Sequence, residues 1–295
     1  GKRMAKIVVI GSCNIDVTVE CDRWAKPGET IFGKRLIVSP GGKGANQAVA
    51  AARLGAEVTM VGCIGDDVYG EMILKNLRQN HVDTSLVKVL PGENSGTAHI
   101  TVAEDDNTII VIKAANDLVD AKLIDEAEAR IKEADLVLLQ HEIPFATIAY
   151  AINKCWQLGV PVLLNPAPVA PVPQDLLDKV TYLTPNEHEA AILFKNLAAE
   201  EILERNAGKV LMTLGSNGVA YYENGQVRNV PAFKVSPVDT TGAGDTFNGA
   251  FAVARAEGKD MAASVRFANA AAAVSVQKIG AQGGMPYLKE VEEML

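Results

Sequence analysis

The 295-residue chain has no uninterrupted apolar stretch near the roughly 18–20 residues that a membrane-spanning helix needs. Cysteine is scarce: Cys13, Cys21, Cys63 and Cys155, with no C-x-x-C spacing among them. No secretory leader precedes them, so they read as reduced thiols of a cytoplasmic protein. Positive charge is not in surplus, since 28 basic side chains against 36 acidic ones leave a formal −8. That balance argues against a protein gripping nucleic-acid backbones, and leaves room for a few lysines at a small anion. Three signatures are missing too. No G-x-x-x-x-G-K-[ST] loop occurs, and Gly11-Ser12-Cys13-Asn14 stands where a dinucleotide fingerprint would follow the first strand. The four histidines (81, 99, 141 and 188) show no H-x-x-x-H spacing for a metal.

What remains is a globular composition, 48% apolar and 22% charged, which excludes disordered and fibrous classes. The dominant pattern alternates strand and helix. Ile7–Ile10 is an unbroken β-branched run, as expected of a strand buried on both faces. A helix is expected from about Gly44 through Leu54 with Gly55 closing it, then a strand at Val58–Val61 and a helix at Tyr69–Gln79. Further strands are expected at 136–139, 160–164, 182–184 and 210–213, and helices at 245–257 and 262–276. Such alternation predicts βαβ units on a mostly parallel sheet. Strands at 16–21 and 33–38, and a hairpin at 97–103 and 108–113 turning through 104–107, interrupt it. They predict a small β appendage. Asn224-Gly225 marks a second hairpin. With no repeat or linker, a single α/β domain over 1–295 is expected, with lid strands inserted at about 14–40 and 95–114.

Two glycine-rich segments are candidates for chemistry. Gly41-Gly42-Lys43-Gly44-Ala45-Asn46-Gln47 leads into a helix; it is either a tight strand-to-helix turn or a backbone cradle for a ligand. Asp239-Thr240-Thr241-Gly242-Ala243-Gly244-Asp245 also opens a helix, and its run of N–H groups suits a phosphoryl group. Asp245 is then either a helix-terminal charge favoured by the macrodipole or a general base beside an anion hole.

Together these segments resemble the paired signatures of the PfkB-type carbohydrate kinases. The resemblance continues through Gly11-Ser12-Cys13-Asn14-Ile15-Asp16, Asn165-Pro166-Ala167-Pro168 and Thr184-Pro185-Asn186-Glu187-His188-Glu189. It extends through Thr213-Leu214-Gly215-Ser216-Asn217-Gly218, Val230-Pro231-Ala232-Phe233 and Gly280-Ala281-Gln282, and so spans nearly the whole chain in order. It implies a central parallel sheet flanked by helices, with a small β lid. It also implies that Asn14, Asp16, Gly42, Lys43, Asn46 and Glu142 hold the hydroxyls of a sugar. Asp245 would take the proton of the attacking hydroxyl, and Gly242, Ala243 and Gly244 would stabilise the transferring phosphoryl. For ATP the resemblance designates Asn186, Glu189, Thr213, Gly215, Gly218, Gly244 and Asn269, with Asn186 and Glu189 positioning Mg2+ largely through water. For a monovalent cation, usually K+, it designates Asp239 and Thr241 with backbone at Ser275, Lys278 and Gly280. Asp239 has an ordinary alternative as a turn aspartate.

The implied activity is transfer of the γ-phosphoryl of ATP to the 5-hydroxyl of D-ribose by a cytoplasmic homodimer joined through its lid strands. The partners are then a small sugar and a nucleotide, with neither nucleic acid nor membrane. The alternatives are a sister kinase of 2-deoxyribose, another sugar or a nucleoside, and a non-catalytic sensor on the same fold. Two stretches depart from the family pattern: Leu193-Phe194-Lys195 stands in place of the usual L-T-G in a shortened 190–212 segment, and Gln282-Gly283-Gly284-Met285-Pro286 replaces a serine- or proline-bearing stretch.

Overall fold

Six parallel strands form the central sheet of the computed structural model, which describes residues 4–295. The strands of the chain are β1 (Lys6–Ile10), β2 (Asn14–Glu20), β3 (Arg35–Gly41), β4 (Glu57–Gly65), β5 (Asp83–Leu90), β6 (Gly96–Ala103), β7 (Asp106–Ile112), β8 (Leu136–Leu139), β9 (Val162–Leu164), β10 (Tyr182–Leu183), β11 (Met212–Thr213), β12 (Val219–Glu223) and β13 (Gln226–Val230). The helices are α1 (Lys43–Arg53), α2 (Val68–Gln79), α3 (Ala121–Glu126), α4 (Glu128–Glu133), α5 (Phe145–Leu158), α6 (Gln174–Leu177), α7 (Glu187–Leu193), α8 (Ala199–Arg205), α9 (Ala243–Ala256), α10 (Met261–Ser275) and α11 (Leu288–Met294).

The central sheet runs β10-β9-β8-β1-β4-β5. From β1 the chain winds outward to β4 and β5, then returns to β8 on the other side of β1 and winds outward again. The order therefore reverses between β1 and β8, and the carboxyl ends of those strands open the crevice where α/β sheets hold ligands. β1 shows why the run Ile7–Ile10 is apolar throughout. Ile7 and Val9 enter the core beneath α1, α2, α9 and α10, while Val8 and Ile10 enter the core beneath α3 to α6. A full-length burial on both faces stabilises by about 1.5–3 kcal/mol per large aliphatic side chain.

The four-stranded sheet β3-β2-β6-β7 stands at the carboxyl-end side of β1, with β2 and β6 parallel and the other pairs antiparallel. Its hairpin is tighter than the sequence suggests. Ala103 pairs with Asp106, so the loop is Glu104-Asp105 alone, both left-handed at φ 51 and 60. That is the primed turn whose twist matches the strands. Asn224-Gly225 makes the same kind of turn, at φ 51 and 80, between β12 and β13.

Three expectations need correction. β5, the edge of the central sheet, was not foreseen: its half-polar Asp83–Leu90 lacks the continuous apolar run of a central strand. The expected 210–213 strand contributes only Met212–Thr213 to the β11-β12-β13 sheet, and Val210 makes a lone bridge to Leu183. The 243–256 helix begins two residues before Asp245, because Gly242 at φ 83 supplies the turn into it. In the shortened segment, Asn196 at φ 66 provides the left-handed residue between α7 and α8, where Leu193 and Phe194 end the first helix. No helix among the described residues is long and apolar enough to cross a membrane.

Candidate active site

The loops after β1 and β8 meet at the switch point. Ser12 Oγ donates to Glu142 Oε1 (2.7 Å), and the same oxygen accepts the Lys43 amide (2.8 Å) at the first turn of α1. Glu142 is therefore a charge at the N-terminus of α1 rather than of α5, which follows Pro144. Its neutralising role at α1 leaves the second carboxylate oxygen for a ligand. Glycine is forced here by close approach. A Cβ on Gly42, whose φ is 88, would stand 2.9 Å from the Asn14 amide, and one on Gly44 would press the Ser12 backbone.

Asn14 and Asp16 come from β2. Asn14 is buried and accepts from Asn116 Nδ2 (2.7 Å), packed against Gly96 of β6. Asp16 lies over the Cα of Gly41, where no side chain would fit beside its carboxylate. Burial pushes the Asp16 carboxyl up to about 6, and the charges of Glu142 and Asp245 add to the effect.

Asp245 does not cap its own helix. The N-cap Gly242 has no side chain to cap with, and both Asp245 oxygens point across to α1 instead. Oδ2 accepts from Asn46 Nδ2 (2.9 Å) and Oδ1 from Gln47 Nε2 (3.1 Å). Helix packing makes that reach possible. A Cβ on Gly249, one turn beyond Asp245, would meet Ala50 Cβ at 2.8 Å and the Gln47 carbonyl at 3.0 Å. The alanine-rich α1 and Gly249 thus let two helices approach closely enough for short amides to span them. Burial holds the Asp245 carboxyl above its ordinary range; the Lys43 ammonium and the two amides oppose this, and Glu142 adds to it.

A cleft of about 840 Å³ leads away from Asp245 and Lys43 across the carboxyl ends of β9 and β10. Asn186, Glu189, Thr213, Gly215, Gly218, Gly244 and Asn269 all line it. Nothing lies within 4 Å of the place a Gly244 Cβ would take, so the α9 N-terminus is open to the cleft. Asn186 and Glu189 cap α7 reciprocally, at 2.8 and 2.9 Å, which holds both side chains at the cleft wall. Asn269 spends its amide protons on the Val230 and Pro231 carbonyls (3.2 Å each), so only its oxygen remains for a ligand.

Asp239, Thr241 and Gly280 gather behind α9. Asp239 accepts from the Thr241 amide (2.9 Å) and the Gly280 amide (2.9 Å), an Asx turn joined to a second loop. Burial works against its charge, yet these donors hold the carboxyl below its ordinary value. The carbonyls of Ser275 and Lys278 converge on Gly284, where a Cβ would overlap the first and lie 3.4 Å from the second. Carbonyl and carboxylate oxygens of this kind suit a hard cation. No group of three or more acidic, histidine or cysteine side chains poised for a metal occurs among the described residues.

Sequence reasoning did not assign Ser12, Gln47, Asn116, Gln140, Asn165 and Gln282, all of which the fold brings to the site. Gln47 also donates to Asn165 Oδ1 (3.2 Å) and accepts from Gln140 Nε2 (2.8 Å). Gln47 was legible as the second of two adjacent amides in the glycine-rich motif. Ser12, Asn165 and Gln282 stand inside stretches that match the family pattern, whereas Asn116 and Gln140 had no local signal, because their partners lie far away in sequence. His141 and His188 stand beside site acids, and the His141 ring meets the Pro168 carbonyl (3.0 Å) rather than a ligand position.

Known proteins resemble the chain over nearly its full length. The sequence pattern described as pfkB family carbohydrate kinase matches residues 4–288. A ribokinase of Bacillus subtilis is 52% identical over 292 residues, covering 99% of this chain and all of that protein. The solved ribokinase of Thermotoga maritima superposes with a TM-score of 0.89 at 38% identity, covering 99% of both chains. The Arabidopsis thaliana ribokinase complexed with ribose and ATP superposes with a TM-score of 0.90 at 35% identity, again over 99% of both chains.

Proposed function

The chain belongs to the pfkB family of carbohydrate kinases, and on that premise we propose that it transfers the γ-phosphoryl group of ATP to the 5-hydroxyl of D-ribose, giving ribose 5-phosphate. The observation that carries this reading is Asp245. It is a buried carboxylate whose two oxygens are both held by amide donors, beside an open helix N-terminus and at the end of the cleft. On the sugar side, Asn14, Asp16, Asn46, Lys43, Glu142 and the Gly42 backbone offer paired donors and acceptors for neighbouring hydroxyls. On the other side, the cleft lined by Asn186, Glu189, Thr213, Gly215, Gly218 and Asn269 has the volume for a nucleotide.

Asp245 takes the proton of the attacking hydroxyl, and its raised affinity for a proton suits a base working near neutral pH. Amides of Gly242, Ala243 and Gly244 receive the charge that develops on the transferring phosphoryl group. Asn186 and Glu189 would hold Mg2+ through water, which would neutralise phosphate charge. Asp239, Thr241 and the carbonyls of Ser275, Lys278 and Gly280 would hold K+, which would steady the segments behind the α9 N-terminus.

The sheet β3-β2-β6-β7 serves as the lid, excluding the water that competes as acceptor. Ile109, Ile110, Val111 and Ile112 along its edge strand β7 are 48–66% exposed, which supports a homodimer joined through the lid. A monomer in light scattering at micromolar concentration would overturn that assembly. The test of the activity is a coupled ADP-release assay across ribose, 2-deoxyribose, fructose, adenosine and pseudouridine. Ribose should give the highest kcat/KM; ADP release that no sugar or nucleoside stimulates would refute the proposal.

A further inference from the structure

Asn46, which holds the base, is itself held by the C-terminal loop. Its Oδ1 accepts from Gln282 Nε2 (2.9 Å) while its Nδ2 donates to Asp245. Gln282 Oε1 accepts from Asn76 Nδ2 (2.6 Å), and Asn76 Oδ1 accepts from Asn80 Nδ2 (3.4 Å), whose main contact is the Asn76 carbonyl (2.9 Å). Asn80 Oδ1 accepts from Arg53 Nε (2.9 Å). Four amides in series thus run from α2, through the C-terminal loop, to α1 and the base.

An amide can face either way, since its oxygen and nitrogen ends are nearly the same shape. This series has no such freedom. Arg53 only donates and an ionised Asp245 only accepts, so the two ends force the same direction on every amide between them. Arg53 is fixed in turn, giving Nη1 to the carbonyls of Gln282 and Met285 (2.8 Å each) and lying over the Tyr287 ring at 5.1 Å. Aligned donors that begin at a cation and end at an anion polarise one another in the same sense.

The geometry points to Gln282 and Asn76 as positioning residues for phosphoryl transfer. They compel Asn46 to present its N–H, not its oxygen, to Asp245, and so keep the base ionised and aimed. This inference rests on Asp245 acting as the base. The charged groups facing Asp245 are Lys43, Glu142 and, through its own charge, Asp16. None of them belongs to the series, so replacing Gln282 or Asn76 leaves them in place.

The test measures kcat against pH for Gln282→Met and Asn76→Asp. Met fills the volume without a donor; Asp can only accept, which reverses Gln282 and through it Asn46. In both variants the acid limb of the profile should move upward, by about one pH unit for Gln282→Met, which lowers kcat on that limb on the order of 10-fold and leaves KM for ATP little changed. Activity should recover at alkaline pH, which a loosened fold would not produce. An acid limb that stays in place in the folded variants overturns the inference. Should Gln282→Met fail to fold, Asn76→Asp at its half-buried position decides alone. Asp245→Asn run alongside separates the two failures: full turnover there refutes the base itself, whereas its loss beside an unmoved limb refutes only the positioning role.

Discussion

The proposed role of Asp16 predicts that sugar affinity depends on pH. Its carboxyl titrates near 6 because burial, Glu142 and Asp245 all disfavour the charge. In its proposed role Asp16 accepts from ribose hydroxyls, so the ionised form should be the one that binds the sugar. At pH 5 only about one molecule in 11 carries that form, and affinity should be on the order of 10-fold weaker than at pH 8. The folding consequence has the opposite sign to that of a salt-bridged acid. Between the ordinary 3.8 and about 6 the folded protein keeps a proton that the unfolded chain has lost. Stability from this group is therefore present at low pH and lost as pH rises through 6. About two pH units at about 1.4 kcal/mol each give a cost near 3 kcal/mol at pH 7. Asp16→Asn removes the titration. At pH 7 it should raise Tm by up to about 5 °C, from an unfolding entropy of about 0.6 kcal/mol/K for a chain of this length. It should also weaken ribose binding and flatten its pH dependence. Calorimetric titration with ribose, without ATP, isolates the sugar step from proton transfer at Asp245. Equal wild-type affinity at pH 5 and pH 8, or a lower Tm for Asp16→Asn at pH 7, would refute the reasoning.

The remaining expectations concern the base, its support and its surroundings. Asp245→Asn should lower kcat on the order of 100-fold or more while ribose binding by calorimetry stays nearly intact; near-normal turnover would remove it from the mechanism. Gly249→Ala should separate α9 from α1 where Ala50 leaves 2.8 Å for the new methyl, costing about 1–3 kcal/mol of stability in denaturant melts. Its kcat should fall more than its KM for ATP rises, because Asn46 and Gln47 lose their reach to Asp245. Asn14→Ala should raise KM for ribose far more than for 2-deoxyribose, and equal effects would detach Asn14 from a sugar hydroxyl. Replacing sodium by potassium should raise turnover, and Asp239→Ala should abolish the difference; indifference of the wild-type protein to the cation would dismiss the proposed site.

Much of the fold was legible because it rests on local chemistry. The β-branched run Ile7–Ile10, the Asn224-Gly225 turn and the glycines of the two helix starts each announce a conformation that their neighbours in sequence impose. The half-polar edge strand β5 was not legible, since an edge is defined by what pairs with it and not by its own pattern. The same division runs through the site. Gly42, Gly242 and Asp245 stand in motifs that sequence alone could single out, although Asp245 taken alone reads also as a helix-terminal charge. The packing of α9 on α1 excludes capping of its own helix, by turning both of its oxygens toward Asn46 and Gln47. Tertiary structure likewise placed Glu142, remote in sequence, at the N-terminus of α1.

What the sequence by itself determined is the set of strained or closely approached backbone positions and the acid–amide vocabulary of the site, because those follow from side-chain chemistry over a few residues. What only the tertiary structure decided is direction: which amide faces which carboxylate, and which carbonyls turn inward together. Arg53, Asn80, Asn76, Gln282, Asn46 and Asp245 lie on four separate segments, and a hydrogen bond's sense is fixed only when both of its ends have been brought into contact.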